Sequence, residues 1–285
     1  MKKRKGRIDQ IDDLPSMDLV AFNGGVNPWN NPFVTGGFRP GAHHFRALIE
    51  KWGFTGFKNV ADVGSGYGRW SVFLGEVNTK VRGYERSAGG VELSRKLAEY
   101  FELPNVSFEV ADVAKLPVKD NTFDAVWCNN GLHLLPRADF LTEIHRVLKP
   151  GKPLFLGQYN GLGTVLQKFF EGYKKGGMTD FLTKFSLNSM RAGSDPNANG
   201  FSYCEPEKIG DVLKAFGFTI STNRPIDAQM KAAAQTTDLF AEEMKDVPTF
   251  VKRLEEDERF RNEFAQHPEL ADRYPVNINL LANRC

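Results

Sequence analysis

The chain has 285 residues, 41% of them hydrophobic and 25% charged, which is enough apolar material to bury one large core or a core with a lid. A formal net charge of +2, with acids and bases interspersed, excludes the broad electrostatic field expected of a nucleic-acid or membrane partner. No apolar stretch approaches the roughly 20 residues that span a bilayer, and the basic start is not followed by a signal-type apolar run, so a cytoplasmic protein is expected.

In chain order, residues 1–42 read as an N-terminal tail and possible lid. The first seven residues, "MKKRKGR", carry five cations, which reads as a solvated tail, with contact to RNA or an anionic surface as the alternative. "FNGGVNPWNNPFVTGGFRPGAHHF" then combines Trp29, Phe33 and Phe38 with Asn, Gly and Pro. Such a segment either folds over a site, with Arg39 aimed at a carboxylate, or lies as a surface loop on the sheet.

Residues 43–160 alternate helix and strand patterns. Phe45, Leu48, Ile49 and Trp52 recur at helical spacing, and Gly53 is a stop signal. "NVADVG" is a short buried strand, "RWSVFLGEV" a helix, "KVRGYERS" a second strand. "AGGVELSRKLAEYFELP" is a second helix closed by Pro104, "NVSFEVAD" a third strand and "FDAVWCNNG" a fourth. "PRADFLTEIHRVLKPGK" places Phe140, Leu141, Ile144, Val147 and Leu148 on one helical face and His145 on the surface, and "PLFLGQY" is a fifth strand. This rhythm predicts a parallel α/β sheet covered on both faces. Residues 161–202 read as a helical lid insertion rich in aromatics, 203–227 as a returning core helix and strand, 228–274 as a charged helical insertion, and 275–285 as the last core strand. In the charged insertion Phe240, Met244, Phe250, Val251, Leu254, Phe260 and Phe264 are the candidate buried positions. Cys128, Cys204 and Cys285 are far apart and lack CxxC spacing, so neither a disulfide framework nor a metal site is expected.

The chemistry-bearing stretch is "VADVGSGYGRW", residues 60–70, with three glycines in five positions where a strand becomes a helix. In an open parallel sheet ligands bind outside the carboxyl ends of the strands, and glycine lets a ligand lie against bare peptide beside free helix N–H groups. Arg69 stands where a dinucleotide fingerprint wants a small residue, which disfavours a nucleotide-dependent oxidoreductase. Glu85 ends the second strand 21 residues past Gly64, where an acid can accept both hydroxyls of a ribose. Asp112 ends the third strand, where a carboxylate can accept from a purine amine.

With "FDAVWCNNGLHLLP" and "EIHRVLKPGK" following in order, residues 58–158 resemble the class I S-adenosylmethionine-dependent methyltransferases, in particular the group acting on small metabolites. The resemblance implies a doubly wound, mostly parallel seven-stranded sheet with helical lid insertions. It implies S-adenosyl-L-methionine as cofactor, S-adenosyl-L-homocysteine as product and a small-molecule substrate. Asp62, Gly64, Ser65, Gly66 and Gly68 match the loop that holds the methionine part, Glu85 the ribose acid, Arg86 a cover for adenine, Asp112 with Val113 the adenine pair, and Asn129 the loop near the methionine amine. His133, at the mouth of the crevice, is the candidate base, with a packed first-turn residue as the competing reading. Trp29, Phe33, Arg39, His43, Tyr159, Phe170 and Tyr173 are the candidate substrate contacts. An RNA or protein methyltransferase using the basic tail is the alternative reading.

Overall fold

The computed structural model describes residues 38, 41–129, 138–159, 206–221, 247–268 and 277–285, with isolated positions at 166, 167, 169, 170, 240 and 270. Seven strands form one sheet: β1 (Val60–Val63), β2 (Val81–Glu85), β3 (Val106–Val110), β4 (Ala125–Asn129), β5 (Pro153–Tyr159), β6 (Phe218–Ile220) and β7 (Asn277–Arg284). Their order is β3-β2-β1-β4-β5-β7-β6. The helices are α1 (Ala42–Lys51), α2 (Arg69–Val77), α3 (Ala88–Tyr100), α4 (Ala138–Val147), α5 (Pro206–Ala215), α6 (Val247–Glu256) and α7 (Glu258–Phe264). Strands β1 to β5 pair in parallel, and β7 runs antiparallel between β5 and β6. The strand order reverses between β1 and β4, which opens the crevice expected at their carboxyl ends.

Every residue of β1 is buried, because the pleat sends alternate side chains into two separate cores. Val60, Ala125, Trp127 and Phe155 face a cluster completed by α1, α2 and α3. Ala61, Val63, Val126, Cys128, Leu154 and Leu156 face the opposite cluster, completed by Phe140, Leu141, Ile144 and Val147 of α4 and Leu213 of α5. Trp127 is the pivot of the first: its ring stacks on Phe155 at 3.7 Å between centroids and meets Trp70 at 4.8 Å.

Two expectations need correction. The helix over 88–104 ends at Tyr100 rather than at Pro104, because Glu102 takes φ 57° and the Leu103 amide turns back to the Ala98 carbonyl. His145 is not a surface group: it is half-buried, its ring edge-on to Phe218 at 5.7 Å and filling the space over Gly217. Burial, with Arg284 nearby, lowers its pKa.

A third cluster joins the two insertions, with Leu166, Phe169 and Phe170 from the first and Phe240, Phe250, Val251, Leu254, Phe260, Phe264 and Leu270 from the second. Asp257 caps α7 by accepting from the Phe260 amide at 2.9 Å. Tyr159, the last residue of β5, pairs with Asn277, the first of β7, so the first insertion departs and the second returns at the carboxyl end of the sheet. Met244 and Cys204 lie outside the described residues.

Gly83, inside β2, leaves no room for a side chain, since an added Cβ would lie 2.4 Å from Phe108 Cδ1 and 3.0 Å from Ser65 Oγ. Overpacking a core position of this kind costs about 1–3 kcal/mol, so Gly83→Ala is expected to lower the urea midpoint with an unchanged slope, measured by equilibrium denaturation.

Candidate functional site

The glycine loop leaves β1 with three left-handed residues: Gly64 at φ 70°, Gly66 at φ 56° and Gly68 at φ 77°. Side chains are disfavoured there for two different reasons. At Gly64 and Gly66 an added Cβ would meet nothing within 4 Å, so the backbone conformation demands glycine and the space in front of it is open. At Gly68 the added atom would also strike Phe108 Cζ at 2.7 Å and Ser94 Cβ at 2.9 Å, so the protein itself fills that side.

The loop is pinned from below and from the flank. The Gly64 and Ser65 amides both donate to the Tyr84 carbonyl, at 2.8 and 3.0 Å, which ties the turn to β2. The Gly66 amide donates to Glu85 Oε2 at 3.1 Å, while its carbonyl accepts from Ser94 Oγ of α3, also at 3.1 Å. Glu85 Oε1 accepts from the Ser87 amide at 2.9 Å, so the carboxylate is oriented by two backbone donors before any ligand hydroxyl reaches it. Gly90 permits this approach, because a Cβ there would lie 3.2 Å from both Glu85 Cγ and the Gly66 carbonyl. Ser65 Oγ is buried without a hydrogen-bond partner among the described residues.

Asp62 lies beneath the loop, 1% exposed, and accepts from Ser71 Oγ at 2.6 Å. Burial raises its pKa to about 7, against the opposing effect of the Ser71 hydrogen bonds and the Arg69 charge. Arg69, which occupies the first turn of α2, lies 5.5 Å over the Phe45 ring and 5.9 Å over Trp70. Its pKa is lowered, chiefly by burial. His44, exposed on α1, has its pKa lowered by partial desolvation and by the nearby His43 and Arg69.

Along the neighbouring strand ends, the Asp112 carboxylate is exposed, with Oδ1 accepting from the Ala114 amide at 2.9 Å, and Val113 packs partly against the second core. Arg86 is exposed next to Glu85. Asn129 ends β4 opposite Gly157 of β5. The strand order thus brings Asp62, the glycine loop, Glu85, Asp112 and Asn129 to one end of the sheet. His43 is exposed on α1. Phe170 is 6% exposed inside the insertion cluster, stacked on Phe264 at 5.6 Å. Trp29, Phe33, Arg39, His133 and Tyr173 lie outside the described residues, and Tyr159 is described only in its backbone position.

Sequence reading missed Ser71, Ser87, Ser94, Gly83, Gly90 and Phe108 as supports of the loop. Gly83 carried a signal, since a lone glycine inside a strand marks close approach. Ser87 carried one too, as a serine in the N-cap position of α3, whereas Ser71 and Ser94 carried none, because their partners are 9 and 28 residues away. A depression of about 630 Å³ lined by Arg95, Leu103, Pro104 and Phe108 lies at the opposite, amino end of β3 and takes no part in the site.

Residues 60–151 match the family described as "Methyltransferase domain". Among curated relatives, the chain is 31% identical over 152 residues to a 2-phytyl-1,4-naphtoquinone methyltransferase of Nostoc sp., covering 52% of this chain and 65% of that protein. It is 38% identical over 101 residues to a demethylmenaquinone methyltransferase of Lactiplantibacillus plantarum, covering 34% of this chain and 43% of that one. These matches thus span less than two thirds of either relative's own length. Among solved structures, a geranyl diphosphate methyltransferase in complex with SAM superposes with a TM-score of 0.52 over 92% of this chain and 93% of that one, at 15% identity, a likeness of fold.

The raised Asp62 pKa has a stability consequence of defined sign. Between the ordinary value of 3.8 and about 7 the unfolded chain releases a proton that the folded chain keeps, so this group's contribution to stability falls over that window and levels above it. Urea denaturation from pH 4 to pH 8 should show wild type losing stability relative to Asp62→Asn by up to about 1.4 kcal/mol per pH unit below pH 7, with parallel curves above it.

Proposed function

We propose that this chain, whose residues 60–151 match the family described as "Methyltransferase domain", is a class I S-adenosylmethionine-dependent methyltransferase that moves a methyl group from S-adenosyl-L-methionine to an N, O, S or C nucleophile of a small, largely apolar metabolite. The observation that carries the reading is the open, left-handed Gly64–Gly66 backbone beside a carboxylate already oriented by two amides. The bare peptide at Gly64 and Gly66, together with the partnerless Ser65 hydroxyl, fits a ligand that lies along the loop and offers polar groups to it.

In this reading Asp62, Gly64, Ser65, Gly66 and Gly68 hold the methionine portion, with Asn129 at its amino group. Glu85 accepts from the two ribose hydroxyls with the lone pairs that Gly66 and Ser87 leave free. Arg86 covers one face of adenine, and Asp112 with Val113 takes its edge. The bound cofactor supplies an already activated sulfonium methyl, leaving S-adenosyl-L-homocysteine. What the chain has to contribute is alignment and exclusion of water, and alignment in near-attack geometry is worth about 7–11 kcal/mol. Strong anionic stabilisation of the sulfonium would oppose the reaction, because positive charge is lost from sulfur in the transition state. Asp62, buried and accepting from Ser71 Oγ, supports the loop from beneath rather than offering its charge to the sulfonium.

Topology supports the acceptor class. The ends of both insertions that β5 and β7 define lie at the carboxyl end of the sheet, which supports reading the insertions as a cap over the acceptor side. The cap is built on a phenylalanine cluster, and the two curated relatives are named for a phytyl naphthoquinone and for demethylmenaquinone. None of the helices in the described residues is long and apolar enough to cross a membrane. The buried free thiol of Cys128 supports a reducing, cytoplasmic setting.

Titration calorimetry on the pure protein should detect S-adenosylhomocysteine binding and none with NADH. Glu85→Gln should weaken that binding about 10–100-fold, the worth of hydrogen bonds to a charged acceptor. Tight NADH binding without any heat from S-adenosylhomocysteine would overturn the assignment. Mass spectrometry of metabolite extracts incubated with methyl-labelled cofactor identifies the acceptor, with label expected in apolar rather than highly charged products.

A further inference from the structure

The helix that ends in "RVLKPG" reads as architecture, yet its inner face grips the segment that carries Asp112. Leu116 donates its amide to Glu143 Oε1 at 2.6 Å and offers its carbonyl to Arg146 Nη2 at 3.2 Å. Arg146 Nη1 donates to the Val118 carbonyl at 2.8 Å and to Asp120 Oδ1 at 2.7 Å. The pair is locked internally, since Arg146 Nε and Nη2 donate to Glu143 Oε2 and Oε1 at 2.8 and 2.6 Å. Glu143 is 7% exposed. Burial alone would push its carboxyl up, but Arg146 and the Leu116 amide more than offset that and hold it below the usual glutamate range. The grip passes directly to Asp112, whose backbone bridges Lys115, the residue before Leu116, with the Lys115 amide bonded to the Asp112 carbonyl at 2.9 Å. At its other end the segment is fixed by the Ala111 amide on the Glu85 carbonyl at 3.0 Å.

We infer that Glu143 and Arg146 are positioning residues for purine recognition: their fork sets the 112–120 segment so that the free carboxylate oxygen of Asp112 faces the exocyclic amine of the cofactor's adenine. The inference rests on the reading of Asp112 as the adenine acid. Arg146 makes contacts to two carbonyls and two carboxylates with one planar group, an arrangement that lysine cannot reproduce. A segment released from the fork keeps its residues but loses the fixed angle of Asp112, and selectivity for the amine falls more than affinity for the remainder of the ligand.

The test compares calorimetric affinities for S-adenosylhomocysteine and S-inosylhomocysteine, which carries a carbonyl in place of the amine. Wild type is expected to prefer the adenosyl compound by about 100-fold, because a buried or oriented acceptor left facing another acceptor is unpaired. Arg146→Lys and Glu143→Gln are expected to cut that ratio about tenfold or more, with circular dichroism unchanged. If wild type discriminates and the variants keep its ratio, with both affinities untouched or weakened alike, the fork is only structural and the inference fails. If wild type itself does not discriminate, Asp112 is not the adenine acid, and the inference falls together with that assignment. Should the variants unfold, hydrogen exchange of ligand-free wild type decides: a Leu116 amide already protected supports a preset segment, and one that exchanges at the open-loop rate until ligand is added overturns it.

Discussion

The site depends on the backbone of one residue, Gly66. The amide of Gly66 is held by Glu85 and its carbonyl by Ser94, so the middle of a loop with three left-handed residues is fixed from β2 on one side and α3 on the other. Left-handed backbone is cheap only for glycine, and a run of such residues keeps a single shape only when neighbours over-determine it. Here they do, and a side effect is that the Glu85 carboxylate is oriented by protein amides before ligand arrives. Preorganisation of that kind lowers the ordering cost of binding.

Beneath that glycine the chain has arranged its polar groups sparingly. Asp62 is buried with one hydroxyl partner, Ser71, plus the nearby Arg69, and its raised pKa shows that burial outweighs both. Around it the packing is aromatic, with Trp70, Trp127 and Phe155 in contact along the first core. Stiff rings below and hydrogen bonds above leave the loop little freedom, and a group-transfer site that works by alignment requires that.

The helical insertions follow another logic. The described phenylalanines of these segments pack on one another rather than into either core of the sheet, which gives them an apolar centre of their own. Phe170, expected as a substrate contact, has its ring committed to that centre against Phe169 and Phe264. Tyr159 and Asn277, the strand residues that precede the first insertion and follow the second, are paired neighbours.

Local pattern alone was enough for the α/β class, the loop over 60–70, the two strand-end acids and the buried phenylalanines of the second insertion. Periodicity and glycine spacing are properties of short stretches, and the strand-to-helix turn is written within eleven residues. The antiparallel seat of β7, the half-burial of His145 against Phe218, the Ser94 and Ser71 anchors and the Glu143–Arg146 fork were decided only by tertiary structure. Each joins residues that the chain separates and the sheet order reunites, and a serine or an arginine looks the same in sequence whether it faces water or closes on a carbonyl 28 residues away.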